Sequence, residues 1–277
     1  MKYDKKAGTA NALRWMLWRE FLDQRQNKML WPVYFLMPLI GAAIPALLAV
    51  ASASILSGSA PIKPEMQSLI AGIRMLAAAN GTDLELAAAT MLLRISAGYF
   101  LLMPLAIVSI AGAYAIVGEK QQRTLEPVLS TPLSTKDFLL GKLLAVTLPA
   151  VLMSWIAALL GAIASVLSFY IASDLLVWPD QFYWIAVLVL GPEIGALTAL
   201  VCLRVSARMQ DPQAANQVTA LILIPLLLIV FSVIGPALVM NIGALIAACF
   251  FGLALTLGVF VWVKRGFNRE EILCRWR

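Results

Sequence analysis

Apolar residues occur along this chain in six long runs separated by shorter polar stretches. The runs cover about residues 32–56, 95–117, 137–169, 183–203, 217–235 and 239–263. Each run is long enough for a helix to cross a hydrocarbon core about 30 Å thick, which takes roughly 20 residues. The pattern predicts an all-α membrane protein with six transmembrane helices over residues 32–263 and a tail at 264–277.

The segment before the first run, residues 1–31, is amphipathic. Trp15, Trp18 and Leu22 recur at helical spacing, and basic residues fall between them. A basic helix with tryptophan on its apolar side tends to lie in the membrane interface. We therefore expect an interfacial amphipathic helix ahead of the first span.

A second amphipathic segment lies between the first two runs, within residues 57–94. Its apolar residues have the spacing of one helix face, and they are Met66, Leu69, Ile70, Ile73 and Leu76. Thr82 and Glu85 then have the spacing of a capping box that begins the next helix. The pattern predicts an external amphipathic helix between spans 1 and 2.

The distribution of basic residues predicts the orientation of the chain. Of its 21 Lys and Arg residues, 18 fall in residues 1–31, 118–142, 204–217 and 264–277, and only Lys63, Arg74 and Arg94 fall on the opposite side. Basic residues collect on cytoplasmic loops. We expect a multi-pass protein of the cell's inner (plasma) membrane with both termini in the cytoplasm.

Amino-acid composition supports the assignment to a membrane protein and argues against several kinds of functional site. The chain of 277 residues is 61% hydrophobic and 13% charged, whereas soluble domains have about 25% charged residues. The basic residues that give the net charge of +6 lie mostly in the loops and terminal segments on the predicted cytoplasmic side. Nucleic acid is therefore not an expected partner. Histidine is absent and Cys202, Cys249 and Cys274 are far apart, so we expect no metal site and no catalytic base of the histidine type.

The loop Glu119–Lys142 contains the pattern of a short cytoplasmic helix. Thr124 can cap it, Glu126 lies in its first turn where the helix dipole favours an acid, and Pro132 ends it. An apolar face is formed by Leu125, Val128 and Leu129. That face requires either a partner protein or membrane lipid to cover it, and spacing alone leaves both alternatives open.

The same loop, GEKQQRTLEPVLSTPLSTKDFLLGK from Gly118, resembles the signature of ABC type-2 exporter permeases. The matching positions are Glu119, Thr124, Leu125, Glu126, Val128, Leu129, Thr131, Pro132, Leu133, Ser134, Gly141 and Lys142. Arg123 departs from the family pattern, which often has glycine there. The resemblance implies that this loop is the coupling helix of an ATP-driven exporter, and that two permease copies or homologues assemble with two separate ATPase subunits.

The chain itself lacks the loop that binds nucleotide phosphates. Its only Gly-Lys pair, Gly141–Lys142, is followed by Leu143 and not preceded by the required glycine. We therefore expect no ATPase activity and no cofactor in this chain, with ATP and Mg²⁺ bound by the partner subunit.

Glu193 is the acidic residue that lies near the middle of the fourth apolar run. An acid in the bilayer costs several kcal/mol unless it is protonated or paired. Glu193 either forms a substrate or proton site where Gly191–Pro192 breaks the helix, or it is a hydrogen-bonded group inside the bundle. Gly191 and Gly195 form a small-xxx-small pair that suits close helix packing.

Two other classes of function remain open at this stage. A stand-alone secondary transporter would need charged residues within the membrane, and Glu193 is the candidate for such a residue. An integral membrane scaffold would need no site at all. The spans lack rows of charge, which favours an amphipathic, lipid-like, drug or peptide substrate over a highly charged one.

Overall fold

The computed structural model describes residues 5–26, 30–56, 81–121, 135–174, 176–211, 213–224 and 242–265, with a few single positions between 67 and 78 and at 227–228. The helices of these ranges are α1 (Lys5–Gln26), α2 (Trp31–Leu56), α3 (Leu84–Gln121), α4 (Thr135–Ser173), α5 (Gln181–Ser206), α6 (Gln213–Ile224) and α7 (Ile242–Arg265). No strand occurs among the residues described, which agrees with the predicted all-α class.

Five of these helices, α2, α3, α4, α5 and α7, are long and apolar enough to cross a membrane. The predicted span 217–235 begins in α6, but most of its second half lies outside the described residues, so the number six stays a prediction. The predicted external helix around Met66–Leu76 also falls mostly on residues outside the described ranges. The chain is a multi-pass membrane protein.

Helices α3, α4 and α5 form the centre of the bundle. Ser206 Oγ of α5 donates a hydrogen bond to the carbonyl of Ala113 (2.9 Å), and Cys202 Sγ lies 3.8 Å from the carbonyl of Ser109, so α3 and α5 run in the same direction. Helix α4 runs the opposite way, because Lys142 near its start donates to the carbonyl of Ala115 (2.7 Å) and Ser154 further on donates to that of Phe100 (3.2 Å), earlier in α3. This alternation is what a chain produces when it crosses a membrane on each pass.

Helices α2 and α7 lie on the outside of this centre. Helix α2 packs mainly against α4, and α7 packs mainly against α5, where the Arg204 guanidinium lies 5.2 Å from the centre of the Trp262 ring. Only 11% of the residues in the most apolar 18-residue stretch of α7 are buried, whereas 67% are buried in the corresponding stretch of α5. Most of the α7 surface is therefore not covered by the other helices that the structure describes.

Helix α5 is continuous but changes its winding halfway. Residues Ala186–Leu190 form a π-helical turn in which Gly191 N–H donates to the carbonyl of Ala186, five residues back. Pro192 follows and has no N–H to donate, so a local change of hydrogen-bond register avoids its clash with the preceding turn. The expected break at Gly191–Pro192 is therefore replaced by a π turn.

The end of the bundle opposite the loop at 122–134 is held by an ion pair between α3 and the start of α5. Arg94 Nη2 lies 2.6 Å from Asp180 Oδ2, and the guanidinium stands over the Phe182 ring at 5.4 Å. Asp180 also accepts a hydrogen bond from the backbone N–H of Tyr183 (3.1 Å), so it caps the helix at its N-terminus.

We predict that Gly112→Ala destabilises the bundle, although alanine is normally the better helix former. A Cβ at position 112 would lie 2.7 Å from Cys202 Cβ, which forces α3 and α5 apart at a cost of about 1–3 kcal/mol. Thermal unfolding in detergent should show a lower midpoint.

Gly258→Ala is the matched control, because no described atom lies within 4 Å of a Cβ built there. That change should leave the midpoint unchanged or raise it slightly. Cys202→Gly should restore stability to Gly112→Ala. Equal midpoints for both glycine variants would contradict the close approach of α3 and α5.

Candidate functional site

Lys142, two turns into α4, is fully buried, and its ammonium group forms two hydrogen bonds and a further ion pair. Its Nζ lies 2.7 Å from Glu20 Oε1 of α1, 2.7 Å from the carbonyl of Ala115 in α3, and 3.0 Å from Glu119 Oε2 of α3. A buried ammonium without such partners would cost several kcal/mol. The sequence of α4 therefore requires that α1 and α3 approach at this point.

We call Arg19, Glu20, Glu119 and Lys142 the ion cluster. Arg19 lies at its rim, with Nη2 3.7 Å from Glu119 Oε1 and its side chain 42% exposed. Two positive and two negative groups give the cluster no net charge, so it can be buried where a single charge could not. It joins α1 to α3 and α4, which are consecutive in the chain but distant in sequence from α1.

Helix α1 contacts α4 along one face. Met16, Glu20 and Gln24 recur every four residues, which places them on a single side of the helix. Met16 packs where Gly141 has no side chain, since a Cβ there would lie 2.5 Å from Met16 Sδ. Gln24 Nε2 donates to the carbonyl of Ala145 (3.0 Å). The helix is therefore fixed to α4 above, at and below the ion cluster.

The structure brings together three of the residues predicted to couple this chain to an ATPase. Glu119 and Lys142 form an ion pair, and Gly141 lies beside Lys142 against α1. The other predicted residues lie outside the described part of the chain, and they are Thr124, Leu125, Glu126, Val128, Leu129, Pro132 and Leu133. The segment that contains them follows the end of α3 at Gln121, two residues after Glu119. It leads into α4 at Thr135, about two helix turns before Lys142.

Sequence reasoning did not assign Arg19 and Glu20 to this site. The available signal was Lys142, a lysine inside an apolar run, because such a residue requires a carboxylate from elsewhere. Glu20 lies in register with Met16 on the buried side of α1, and so is the acid of α1 that faces the bundle.

Glu193 lies in the first turn after the π-helical segment, between α5 and α7. Its Oε2 is buried and has no hydrogen-bond partner among the described residues, and it approaches so closely that a side chain at Gly252 would collide with it. No group of three potential metal ligands occurs in the described residues. The contact places a carboxyl group against the smallest residue of the outer helix.

Gly191 and Gly195 pack inside the subunit. A Cβ at Gly195 would lie 3.3 Å from both Pro104 of α3 and Thr147 of α4, and one at Gly191 would lie 3.9 Å from Pro104. These two glycines therefore allow α5 to approach α3 and α4 closely.

We predict that Lys142→Met strongly destabilises the protein. It leaves Glu20 and Glu119 buried without their cation, which costs about 3–5 kcal/mol. Arg19→Gln should cost less than about 1 kcal/mol, because this partly exposed pair is screened by solvent. Thermal unfolding of both variants in detergent measures the difference.

A double variant provides the control for this prediction. Glu20→Gln combined with Lys142→Met should cost less than the sum of the single changes, because each removes the other's unpaired charge. Strict additivity would contradict a direct interaction between the two side chains.

The family of this chain is shown by comparison with known families. The family described as ABC-2 family transporter protein matches residues 16–210, more than half of the chain, from the helix that supplies Glu20 to the end of α5. A search of curated proteins gives no match. The matched region contains the whole ion cluster and the loop at 122–134. The chain therefore belongs to the ABC-2 family of transporter proteins, as a multi-pass membrane subunit that works with an ABC ATPase subunit.

Proposed function

We propose that this chain is the permease of an ATP-driven exporter and receives the movement of its ATPase through the loop Glu119–Lys142. The observation that carries the proposal is the ion cluster. Lys142 and Glu119 lie at the two ends of the loop and form an ion pair with each other. Glu20 of the interfacial helix α1 forms a second ion pair with Lys142.

The proposed route of coupling follows from these contacts. A force applied to the loop reaches α3 through Glu119 and α4 through Lys142 at the same time. Because α1 is bonded to Lys142 through Glu20, it moves with them. Helices α3 and α4 lie at the centre of the bundle, so their displacement repacks α5 as well. The coupling helix itself, from Thr124 to about Thr131, is proposed to dock in a groove of the ATPase.

The proposed assembly contains two ATPase subunits and two permeases, the second being another copy or a homologue. ATP and Mg²⁺ bind to the ATPase, and this chain performs no hydrolysis. Both termini are proposed to lie in the cytoplasm, which places the loop on the same side as the ATPase. The proposed cargo is amphipathic, lipid-like, drug-like or peptidic and moves outward.

We predict that Leu129→Asp abolishes the stimulation of the ATPase by this chain. It places a charge on the apolar face that is proposed to meet the partner, while the residue lies outside the ion cluster. The chain and its cognate ATPase should be reconstituted in nanodiscs, and ATP turnover should be measured with and without the permease.

Gln210→Asp is the control, because it adds the same charge to the other cytoplasmic connection. Both variants should insert and unfold like the natural chain, and only Leu129→Asp should lose stimulation. Normal stimulation by Leu129→Asp would contradict docking at this face. Transport or ATP turnover by the chain without an ATPase would contradict the exporter proposal itself.

A secondary carrier is the second candidate, and the buried carboxyl oxygen of Glu193 is the observation that favours it. Such a carrier would use this group to bind a proton or a cationic substrate in the membrane.

We predict that Glu193→Gln leaves ATP-driven activity within about twofold at pH 6 and at pH 8, since the amide has nearly the same shape against Gly252. ATP turnover of the reconstituted complex at both pH values measures this. Proton flux by the chain alone in liposomes, abolished by Glu193→Gln, would favour the carrier instead.

A further inference from the structure

A groove of about 760 Å³ lies between α1 and α4, next to the face of α1 that contacts the ion cluster. Its walls are Trp15, Trp18 and Phe21 from α1 and Leu148 and Pro149 from α4, with smaller apolar residues between them. Its volume lies within the roughly 300–1,000 Å³ of sites that take one small molecule. The groove is therefore large enough to hold one ligand of that size.

The aromatic walls of this groove are largely exposed in the part of the chain that the structure describes. The side chains of Trp15, Trp18 and Phe21 are 73%, 57% and 51% exposed. Tryptophan is enriched where the hydrocarbon of a membrane meets its headgroups. The groove extends along α4 toward the hydrocarbon of the membrane. Leu148 lies 12 residues after Lys136, where this membrane span begins, which is about 18 Å along the helix axis. An elongated amphipathic ligand fits this course.

Arg14 gives the groove its chemical preference. It is the one charged residue in the lining, and among the described residues no carboxylate pairs with it. Glu20, the acid six residues on, is already bonded to Lys142. A guanidinium group binds a phosphate with two parallel hydrogen bonds, so an unpaired arginine at the membrane surface selects phosphate. The cytoplasmic leaflet supplies anionic phospholipids.

We propose that this groove binds one anionic phospholipid of the cytoplasmic leaflet. Its phosphate pairs with Arg14, and an acyl chain lies along Leu148 and Pro149 between the tryptophans. The lipid contacts α1 and α4 together, so it reinforces the junction that Glu20 and Lys142 form. This site depends on the proposed cytoplasmic position of α1 and is independent of what the protein transports.

The test counts lipids bound to the full chain. Permease in detergent is mixed with phosphatidylglycerol or phosphatidylcholine, and native mass spectrometry measures the bound fraction across a concentration series. The natural chain should retain one phosphatidylglycerol in preference to phosphatidylcholine, and the thermal midpoint should rise with it. Arg14→Gln should weaken that retention about tenfold.

Arg25→Gln is the matched control, because it removes the same charge from the same helix three turns away, outside the groove. It should change retention by less than about twofold, since exposed charges are largely screened over that distance. Leu148→Trp should fill the groove and block retention while Arg14 is intact.

Three results would overturn the proposal. Equal losses in Arg14→Gln and Arg25→Gln would mean diffuse attraction to a basic helix. Equal retention of both lipids by the natural chain would mean nonspecific apolar contact. A dimer that dissociates in Leu148→Trp, with no lipid bound to the natural chain, would mean that a second copy occupies the groove. None of these readouts uses ATP or transport, so a failure here would leave the exporter proposal standing.

Discussion

A single buried ammonium group sets the constraint on which the end of the bundle next to the loop at 122–134 depends. Lys142 has no contact with solvent, and its ammonium group forms hydrogen bonds to one carboxylate of α1 and one backbone carbonyl of α3 and an ion pair with one carboxylate of α3. Removing any of these partners leaves a charge in a medium that does not solvate it. The bundle can therefore not separate α1, α3 and α4 at this end without a large free-energy cost.

At the opposite end of the bundle, a single ion pair joins two helices in a similar way. Arg94 and Asp180 join α3 to the start of α5, and Asp180 is also the residue that begins this helix. Between the two ends, contact depends on small residues such as Gly112, Gly161 and Gly195, which admit side chains from neighbouring helices. The central helices are thus fixed by charge at both ends and by close backbone approach between them.

The sequence predicted the long apolar helices well, because a run of about 20 apolar residues has few alternatives to a membrane span. It also marked Glu119, Gly141 and Lys142, although through the signature of a family. It did not predict that Glu20 pairs with Lys142, because the two residues are 122 positions apart and periodicity reports only the face of one helix. The π turn before Pro192 was expected as a break, since a proline shows that a hydrogen bond is lost but not how the chain compensates.

The ion pair between Glu119 and Lys142 also closes a ring in the chain, with 22 residues between its ends. Bringing the ends of such a segment together costs roughly (3/2)RT ln n, or about 3 kcal/mol of chain entropy. In this protein the folding of the bundle meets that cost. A partner that binds the segment therefore does not have to gather its ends, and more of the contact energy remains as affinity.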